Sequence, residues 1–585
     1  MVYRNARDQA MASADFAKLA QVILRQRFVR ACVYELPFAY AVAVVGNLNL
    51  KRGIFSVAYA LVSPRTLVYM VAAYVVGLVV LIIHARLFQV TRAAHSSHFP
   101  RLQRLLRHPA NTGMTVSVYV LLSYFLLLVH RGMFGGGVAR MWLYPEGYYG
   151  PPQLNPSWLA QWAFATAIGV SYAVQLIMDE RLQLAFPAIE QSRIYTLKDR
   201  LPHSFSYAFG FVSGAIWRFW LGYFMFGWGL YRSVCGVLSH LISTSSYAVG
   251  SPLFSFGGIV VWLHSGMLVV LTWEFAHQLF EIIVTEPTHI NELSLDRNLC
   301  LVNGLKHTDS QLIQHLAYQE LYRLVAYNPE QRVEILADID RASGTMWAQI
   351  SGQCISVIKV ATEQLQAQAP PEKTKAPPAA RSNAPPAAAT LKAGGAPMKD
   401  ILLRNRKTPQ TSTAEPLTKA DASSTPDLFG VEAEGLEKYV LTMLRDMLLQ
   451  STLGQRLLQR SRRARSISTF ANFQQQVWAI RSLMQLVECS ILDDKYGVVQ
   501  GDIAMVLEVL FAYLKELERS AAQGDGARGA NGYNVQATSR QTVAMIQVLR
   551  NALYSFTTSF YEYLEALKLP PAQAQPLQQF ADFQA

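Results

Sequence analysis

Charged residues are scarce in this chain, and cysteines are scarcer still. Only 16% of the 585 residues are charged, against roughly 25% in an average soluble protein, whereas 51% are hydrophobic. The five cysteines include no C-x-x-C pair and no histidine at zinc-ligand spacing. These shortages disfavour an ordinary soluble enzyme, a disulfide framework and a structural metal site.

Motifs that carry known chemistry are missing as well. The sequence contains no P-loop, no Gly-rich dinucleotide turn, no H-E-x-x-H and no G-x-S-x-G. We therefore expect no catalytic residue, no cofactor and no bound metal. The first 30 residues carry charges throughout and lack a cleavage site after a short apolar core, so we expect no cleaved signal peptide.

Acidic residues are rare in the first part of the chain. Residues 1–178 contain 16 Lys and Arg but only 4 Asp and Glu, whereas the rest of the chain is balanced, so the formal charge of +12 belongs to this part. Basic blocks between apolar runs are typical of segments that contact anionic lipid headgroups. We expect membrane lipids as partners and no direct binding of nucleic acid.

Long apolar stretches are abundant, and a helix needs about 20 such residues to cross a bilayer. Six spans are predicted near residues 31–48, 66–85, 112–130, 157–178, 207–231 and 253–273. The first span carries Glu35, and the fifth carries Arg218 near its centre and could extend to residue 238. A central charge costs about 2.5–3.5 kcal/mol on insertion scales, which the five aromatic residues around Arg218 more than offset.

The distribution of basic residues predicts the orientation. The N-terminal segment 1–30 and the second and fourth loops together hold 15 Lys and Arg, against 5 in the other loops. Because basic loops stay on the cytoplasmic side, both termini should face the cytoplasm. The fold class predicted is all-α: a polytopic membrane protein with six transmembrane helices in residues 31–273, followed by a cytoplasmic-side helical domain split by a disordered linker.

Amphipathic periodicity dominates the rest of the chain. A helical segment is predicted over 274–366, in which Thr308 and Gln311 have the spacing of a capping box. Residues 367–430 are predicted to form the linker, because 17 of the 30 residues in 369–398 are Ala or Pro and cannot bury enough apolar surface. A C-terminal helical domain over 431–568 and a tail over 569–585 complete the chain.

Four helices are expected in the C-terminal domain, over 435–458, 468–492, 497–520 and 535–567, and their apolar spacing favours a bundle. A basic cluster covers the end of the first helix and the loop after it. Its members are Arg456, Arg460, Arg462, Arg463 and Arg465. The cluster could contact anionic lipid or an acidic partner, and a solvated helix end is an equally good interpretation.

Two stretches, LCLVNGLKHTDSQLIQHLAYQELYRLV at 299–325 and VWAIRSLMQLVECSILDDKYGVVQGDIAMVLEVL at 477–510, carry a family resemblance. They resemble the segment after the last span and the C-terminal signature of the nuclear division cycle transmembrane nucleoporins. The candidate motif or partner-surface residues are Leu305, Leu316, Glu320, Leu321, Ser490, Asp494, Tyr496, Gly497, Val499 and Gln500. The order of spans, helical segment, linker and second helical segment also agrees with that family.

The resemblance implies an integral scaffold protein of the pore membrane in the nuclear envelope, which is continuous with the endoplasmic reticulum membrane. It implies anchoring of the nuclear pore complex, support of pore assembly, spindle pole body insertion if the source is fungal, and no catalysis. The implied partners are other nucleoporins, including ones with membrane-binding amphipathic helices, and a homo-oligomer is compatible with it.

The residues of the second motif also have a physical interpretation of their own. Asp493, Asp494 and Gly497 interrupt a helix, and the carboxylates can cap a helix that starts near Val498. Residues 494–500 are therefore expected to form a structural corner first and a partner surface second. If Gly497 adopts a left-handed conformation, Gly497→Val should damage the fold.

The main rival is a polytopic transporter or an intramembrane enzyme. Such a protein would need convergent polar groups at mid-depth in several spans, and the candidates are Glu35, His84, Arg218, Arg232 and His264. Arg218 is the strongest of them, because Glu35, His84 and Arg232 lie near predicted span ends. A receptor-type sensor ranks last, since the longest far-side loop has only about 25 residues.

Overall fold

A computed structural model describes the main helical parts of the chain. The described residues are 15–48, 55–90, 109–134, 141–143, 153–179, 181–187, 191–240, 256–368, 470–525, 540–564, 570, 576–578 and 580. All of them belong to one compact unit. The predicted linker, the predicted helix 435–458 and the five arginines of the basic cluster lie outside the described residues.

Helices form the membrane region. Its elements are α1 Phe16–Gly46, α2 Phe55–Val62, α3 Pro64–Leu87, α4 Pro109–Phe134, α5 Pro156–Met178, α6 Arg193–Ser239 and α7 Phe256–Val284. Helix α1 begins well before the predicted span, because Asp15 caps it by accepting the N–H of Ala17 at 3.1 Å. In the part of the chain described, α1, α3, α4, α5 and α7 are long and apolar enough to cross a membrane.

Helix α6 contains the predicted fifth span, but it is not among those five helices. It runs for 47 residues with Pro202 inside it, which corresponds to about 70 Å at 1.5 Å per residue. Its most apolar stretch is less apolar than those of the other five, because polar residues such as Arg218 interrupt it. Length and composition therefore support five spans in the described residues rather than the predicted six.

Small residues let the membrane helices pack closely. A Cβ added to Gly169 of α5 would lie only 2.7 Å from the Cα of Val120 in α4, so the two backbones approach each other at this glycine. Three residues further along α4, the hydroxyl of Ser123 donates to the carbonyl of Ala165 at 2.8 Å. Both contacts are typical of helix pairs in membranes, where van der Waals packing and hydrogen bonds between helices hold the bundle together.

One short ladder departs from the predicted all-α class. Strand β1 Trp142–Leu143 pairs antiparallel with β2 Gln153–Leu154, with Trp142 opposite Leu154. The ladder lies directly before α5, and Leu154 packs with Tyr231 and Cys235 of α6 in a small apolar cluster. Strands of two residues are too short to show an alternation of apolar and polar residues, so no sequence pattern marks them.

Within the described residues, seven further helices follow α7. They are α8 Arg297–Leu305, α9 Gln311–Tyr327, α10 Pro329–Ala337, α11 Met346–Gln368, α12 Phe473–Asp493, α13 Ile503–Asp525 and α14 Arg540–Ser559. Single 3-10 turns occupy Asn291–Leu293, Gln500–Asp502 and Tyr561–Tyr563. The predicted capping box at Thr308 is wrong: the N-cap of α9 is Ser310, whose side chain makes no capping bond, and Thr308 lies two residues too early.

The extramembrane helices from both sides of the undescribed segment share one core. Helix α12 packs on α9 and α11, and α13 packs on α11. Two polar contacts join the same parts: Trp347 Nε1 donates to Asp502 Oδ2 at 2.9 Å, and Arg332 Nε donates to Asp493 Oδ2 at 2.9 Å. In the described part of the tail, Leu577 and Phe580 are buried. Residues far apart in sequence therefore form one body.

Candidate functional site

The end of α7 lies where the membrane helices meet the extramembrane helices. Glu274 is fully buried there and accepts from Arg181 through two hydrogen bonds, Nη1 to Oε1 at 2.8 Å and Nη2 to Oε2 at 2.7 Å. The hydroxyl of Tyr172 donates to Oε1 at 2.8 Å, and the Arg181 guanidinium lies 4.0 Å from the ring centre of Tyr207. A buried carboxylate needs such partners, and here they come from three other elements.

Two more acidic residues continue this arrangement along α7 and beyond its end. Glu281 accepts from Arg200 at 2.9 Å, and Arg200 also donates to Gln278 at 3.2 Å. Glu286 pairs with Arg193 and, at 3.8 Å, with Arg30. Helices α1 and α6 are thereby attached to the segment through which the chain leaves the membrane.

Arg27 of α1 completes the arrangement by capping the end of α7. Its Nη1 donates to the carbonyl of Val284 and its Nη2 to the carbonyl of Pro287, both at 2.9 Å. Carbonyls at a helix C-terminus lack partners within the helix and carry partial negative charge, so a guanidinium stabilises them. We call the full set the boundary belt. Its members are Arg27, Arg30, Arg181, Arg193, Arg200, Glu274, Glu281 and Glu286.

Apolar contacts reinforce the boundary belt. Phe16, at the start of α1, is fully buried against Gly304 of α8, where an added Cβ would lie 2.6 Å from its ring. Phe186, in the loop after α5, stacks on His315 with ring centres 5.8 Å apart and meets Trp478 edge-on at 5.5 Å. The extramembrane helices α8, α9 and α12 therefore pack directly on segments that enter or leave the membrane.

The first sequence motif contributes mainly to this core. Leu305, Leu316 and Leu321 are almost fully buried, and so is Glu320 of α9. Glu320 accepts the N–H of Asn291 at 2.5 Å and lies 3.5 Å from the Thr288 hydroxyl, so it holds the turn that follows α7. Burial raises the pKa of Glu320 to about 8. Whether any residue of this motif also touches a partner stays a prediction.

The second motif forms a corner between α12 and α13. Asp494 accepts the N–H of Tyr496 at 3.1 Å and that of Val499 at 2.9 Å, and Gly497 has φ +69°. The corner leads into the 3-10 turn at Gln500–Asp502 rather than directly into a helix near Val498.

The residues of this corner differ in exposure. Ser490 and Val499 are buried, whereas Tyr496 and Gln500 are exposed. Asp494 is half-buried. Whether any side chain of this motif contacts a partner stays a prediction.

The ionisable groups proposed for a transport path do not converge. Arg218 is exposed on the outer face of α6, beside the exposed Trp217. Glu35 is buried in the bundle, and an added Cβ on Gly77 would lie 2.3 Å from its Oε1. His84 contacts His277 of α7, Nε2 to Nδ1, at 3.0 Å, and His264 lies 3.3 Å from the carbonyl of Val45. Arg232 lies 5.8 Å from the ring centre of Trp228.

Sequence reasoning missed most of the boundary belt. Arg27, Arg181 and Glu274 belong to no motif, and the partners of Glu274 lie on α5 and in the loop after it. The available signal was the acidic residues of EFAHQLFEIIV, since Glu274 and Glu281 recur seven residues apart beside an apolar span. Among the residues described, no group of three His, Cys, Asp or Glu is placed to hold a metal ion.

Comparisons with known proteins agree with this architecture. The family model of the nucleoporin protein Ndc1-Nup matches residues 22–578. Nucleoporin NDC1 of Xenopus laevis is 23% identical over 555 residues, covering 80% of this chain and 83% of the relative. Nucleoporin Ndc1 of Drosophila melanogaster is 24% identical and covers 69% of this chain and 70% of the relative.

A fungal protein is also similar to this chain. The nuclear envelope protein ndc1 of Schizosaccharomyces pombe is 24% identical over 345 residues, covering 53% of this chain and 55% of the relative. A family match over nearly the whole length, together with five helices able to span a membrane, leads to one conclusion: this chain belongs to the Ndc1-Nup nucleoporin family and is a membrane nucleoporin.

Proposed function

We propose that this protein anchors the nuclear pore complex in the pore membrane and supports pore assembly. The observation that carries the proposal is the boundary belt, through which three membrane helices and the loop after α5 hold the start of the extramembrane region. An anchor must transmit force from soluble partners to the bilayer without giving way. The buried Arg181–Glu274 pair and the capped end of α7 suit that task, because removing either partner of the pair leaves a buried charge unpaired.

Rigid coupling also favours a scaffold over a transporter. Alternating access requires one bundle of helices to move against another around a central polar site. Here the exposed Arg218 does not face the bundle, and α1, α6 and the loop after α5 are all attached to one end of α7. We propose no catalytic or transport role for this chain.

We propose further that α6 crosses the membrane as a sixth span. Arg193 and Arg200 at its start pair with Glu286 and Glu281, whereas Tyr231 donates to the carbonyl of Leu154 at 3.1 Å, beside the start of α5. The 32 residues from Arg200 to Tyr231 cover about 46 Å, more than the hydrocarbon thickness of about 30 Å. Its outer face exposes Trp217, Leu221, Phe224, Met225 and Trp228, which suits contact with lipid.

With six spans, the basic loops support a topology in which both termini lie on the cytoplasmic or pore side of the nuclear envelope, in a membrane continuous with the endoplasmic reticulum. From there the extramembrane helices would bind other nucleoporins, including ones with membrane-binding amphipathic helices. Tyr496 and Gln500 are the exposed motif residues that suit such contacts. Arg456, Arg460, Arg462, Arg463 and Arg465 are proposed to contact anionic lipid or an acidic partner. In a fungal source, spindle pole body insertion would be a second role.

Topology mapping tests the span count directly. Epitope tags at the N- and C-termini of the full chain should both be digested by protease added outside intact microsomes. If α6 does not cross, five spans put the termini on opposite sides, and one tag would be protected. A lumenal marker protein serves as the control for membrane integrity.

Proximity labelling from the C-terminus tests the anchoring role. A biotin ligase fused to the full chain should enrich nucleoporins at the nuclear envelope, and depletion of the protein should lower the number of pores. Extraction of the protein by alkaline carbonate, or labelling confined to other reticulum proteins, would contradict the proposal. An unrelated membrane protein of the reticulum carrying the same ligase is the matched control.

A further inference from the structure

A crevice opens between α4 and α5 at the end of the membrane region that is remote from the boundary belt. It has a volume of about 230 Å³, and its lining includes Tyr124, Leu128, Arg131, Trp158, Gln161 and Trp162. Its position follows from chain direction: α5 ends at Met178, next to Arg181 of the belt, whereas Trp158 and Trp162 belong to its first two turns. Arg131 correspondingly belongs to the last turn of α4.

Arg131 supplies the charge in the crevice. Its Nε is buried and has no hydrogen-bond partner in the structure. A guanidinium presents five N–H donors in a planar fork, and burying a donor without an acceptor is costly. None of the residues lining the crevice is acidic, so the ligand that best complements Arg131 is an anion with oxygen acceptors.

Aromatic side chains form the walls and are already held in place. Trp162 meets Tyr124 edge-on with ring centres 4.5 Å apart, and it meets Trp158 in the same way at 5.6 Å. The Tyr124 hydroxyl lies 2.5 Å from that of Thr166, which in turn donates to the carbonyl of Trp162 at 2.9 Å. Because the Tyr124 hydroxyl is held by Thr166 and the rings of Tyr124, Trp158 and Trp162 pack on one another, a ligand would meet a preformed surface.

The surroundings identify the kind of anion. Leu128, at the rim, is 56% exposed on a helix whose outer face belongs in lipid, so the crevice opens toward the bilayer. Tryptophan beside a cationic residue at a span end is typical of headgroup depth. A free ion would gain nothing from these apolar walls, whereas a phospholipid would place its phosphate on Arg131 and its glycerol and acyl carbons on Trp158 and Leu128.

We propose that this crevice is a binding site for the phosphate headgroup of one membrane phospholipid, with Arg131 as its anion ligand. Gln161 offers an additional amide donor at the crevice. The proposal rests on membrane insertion of α4 and α5, and it does not depend on anchoring of the pore complex. A bound lipid at this place would join α4 and α5 on the side opposite the boundary belt.

The test uses the purified full chain in phosphatidylcholine nanodiscs that contain a photoactivatable phosphatidic acid. Crosslinks should map to the peptides around Leu128 and Trp158, and Arg131→Gln should lower their yield about tenfold, the loss expected for a charge-assisted hydrogen bond. Arg232→Gln is the matched control, because Arg232 of α6 is an exposed arginine at the same end of the membrane region as the crevice. Equal crosslinking in the wild type and in Arg131→Gln would overturn the proposal.

A second variant closes the crevice without changing its charge. A Cβ on Gly132 would meet nothing within 4 Å, so Gly132→Leu can be built, and its side chain should occupy the mouth of the crevice and lower the crosslinking yield. Gly113→Leu, in equally open space at the other end of α4, should leave the yield unchanged. Suppression of crosslinking by inorganic phosphate as effectively as by unlabelled lipid would also overturn the proposal, because the site would then bind a free ion.

Discussion

Arg181 and Glu274 meet through two parallel hydrogen bonds of 2.8 and 2.7 Å, although 93 residues separate them in sequence. The Glu274 side chain is 1% exposed and that of Arg181 is 17% exposed, so water screens the pair little. Such a pair does not by itself make a protein more stable than well-packed apolar residues would. It does, however, favour one geometry, because separating the two side chains would leave a buried charge without its partner. The loop after α5 is thereby attached to α7.

The substitution Glu274→Gln should destabilise the protein strongly. It would leave the Arg181 guanidinium buried without its counter-charge, and breaking one partner of a buried ion pair costs roughly 3–5 kcal/mol. We expect a clear drop in the melting temperature of the purified full chain in detergent, and faster proteolysis between α7 and α8.

Glu518→Gln is the matched control for this prediction. Glu518 pairs with Arg550 at 2.8 Å, but both side chains are more than two-fifths exposed, and surface pairs contribute about 0–1 kcal/mol. Similar melting temperatures for the two variants would show that the boundary belt does not hold α7 in place.

Glu320 should make stability depend on pH. Burial raises its pKa in the folded protein to about 8, from an ordinary value of 4.5 in the unfolded chain. The folded state therefore retains a proton that the unfolded state releases, so the free energy of unfolding falls as the pH rises from about 4.5 to about 8. Below this window the contribution is fully present, and above it the contribution is lost.

The measurement for Glu320 is a series of denaturant unfolding curves of the purified chain between pH 5 and pH 8.5, recorded at pH values about one unit apart. The side chain of Glu320→Gln cannot titrate, so the free energy of unfolding of this variant should lack the pH dependence due to residue 320. The wild-type free energy of unfolding should fall relative to that of the variant by a few kcal/mol as the pH approaches 8. Parallel pH profiles for wild type and variant would rule out this assignment.

The amphipathic helices could be predicted from the sequence because their period is local. The apolar face of α9, which includes Leu312, Leu316 and Leu324 at helical spacing, is buried, and five of the expected spans are present as helices able to cross a membrane. What sequence reasoning could not supply were contacts between distant elements, such as Phe186 with Trp478. No local pattern selects these partners, since they depend on how the helices pack.

Two predictions failed at the first residues of helices, where small differences in local energy decide at which residue a helix begins. The cap of α9 is Ser310 rather than Thr308, and α1 begins at Phe16 although the apolar run starts much later. In the second case a polar first half of the helix is stabilised by packing on the extramembrane helices, which hydropathy does not report. The same packing buries Leu305 and Leu321, so their place in a family motif reflects the core they form.

Gly497 provides a test of the corner between α12 and α13. At φ +69° an L-residue is strained, so Gly497→Ala should lower the free energy of unfolding by roughly 1–2 kcal/mol. Gly501→Ala is the control four residues later, where no positive φ occurs and a Cβ meets nothing within 4 Å, and it should be neutral. Denaturant unfolding of both variants distinguishes the two sites, and equal stability would mean that the corner tolerates a side chain at residue 497.

Gly304 tests whether the start of α1 is held on the extramembrane helices. An added Cβ would lie 2.6 Å from the ring of Phe16 and 2.9 Å from the Cβ of Ala317, so it is confined on two sides and neither neighbour can move away without disturbing the core. We therefore expect Gly304→Ala to displace Phe16, at a cost of about 1–3 kcal/mol for overpacking.

The readout for Gly304→Ala is local as well as global. Residues 16–24 precede the apolar part of α1, so loss of the Phe16 contact should expose them to protease and to hydrogen exchange while the spans stay protected by lipid. Gly352→Ala, in α11, is the control, because a Cβ there meets nothing within 4 Å and alanine favours a helix over glycine. Unchanged hydrogen exchange at the start of α1 in Gly304→Ala would show that this helix is held by the boundary belt alone, through Arg27 and Arg30.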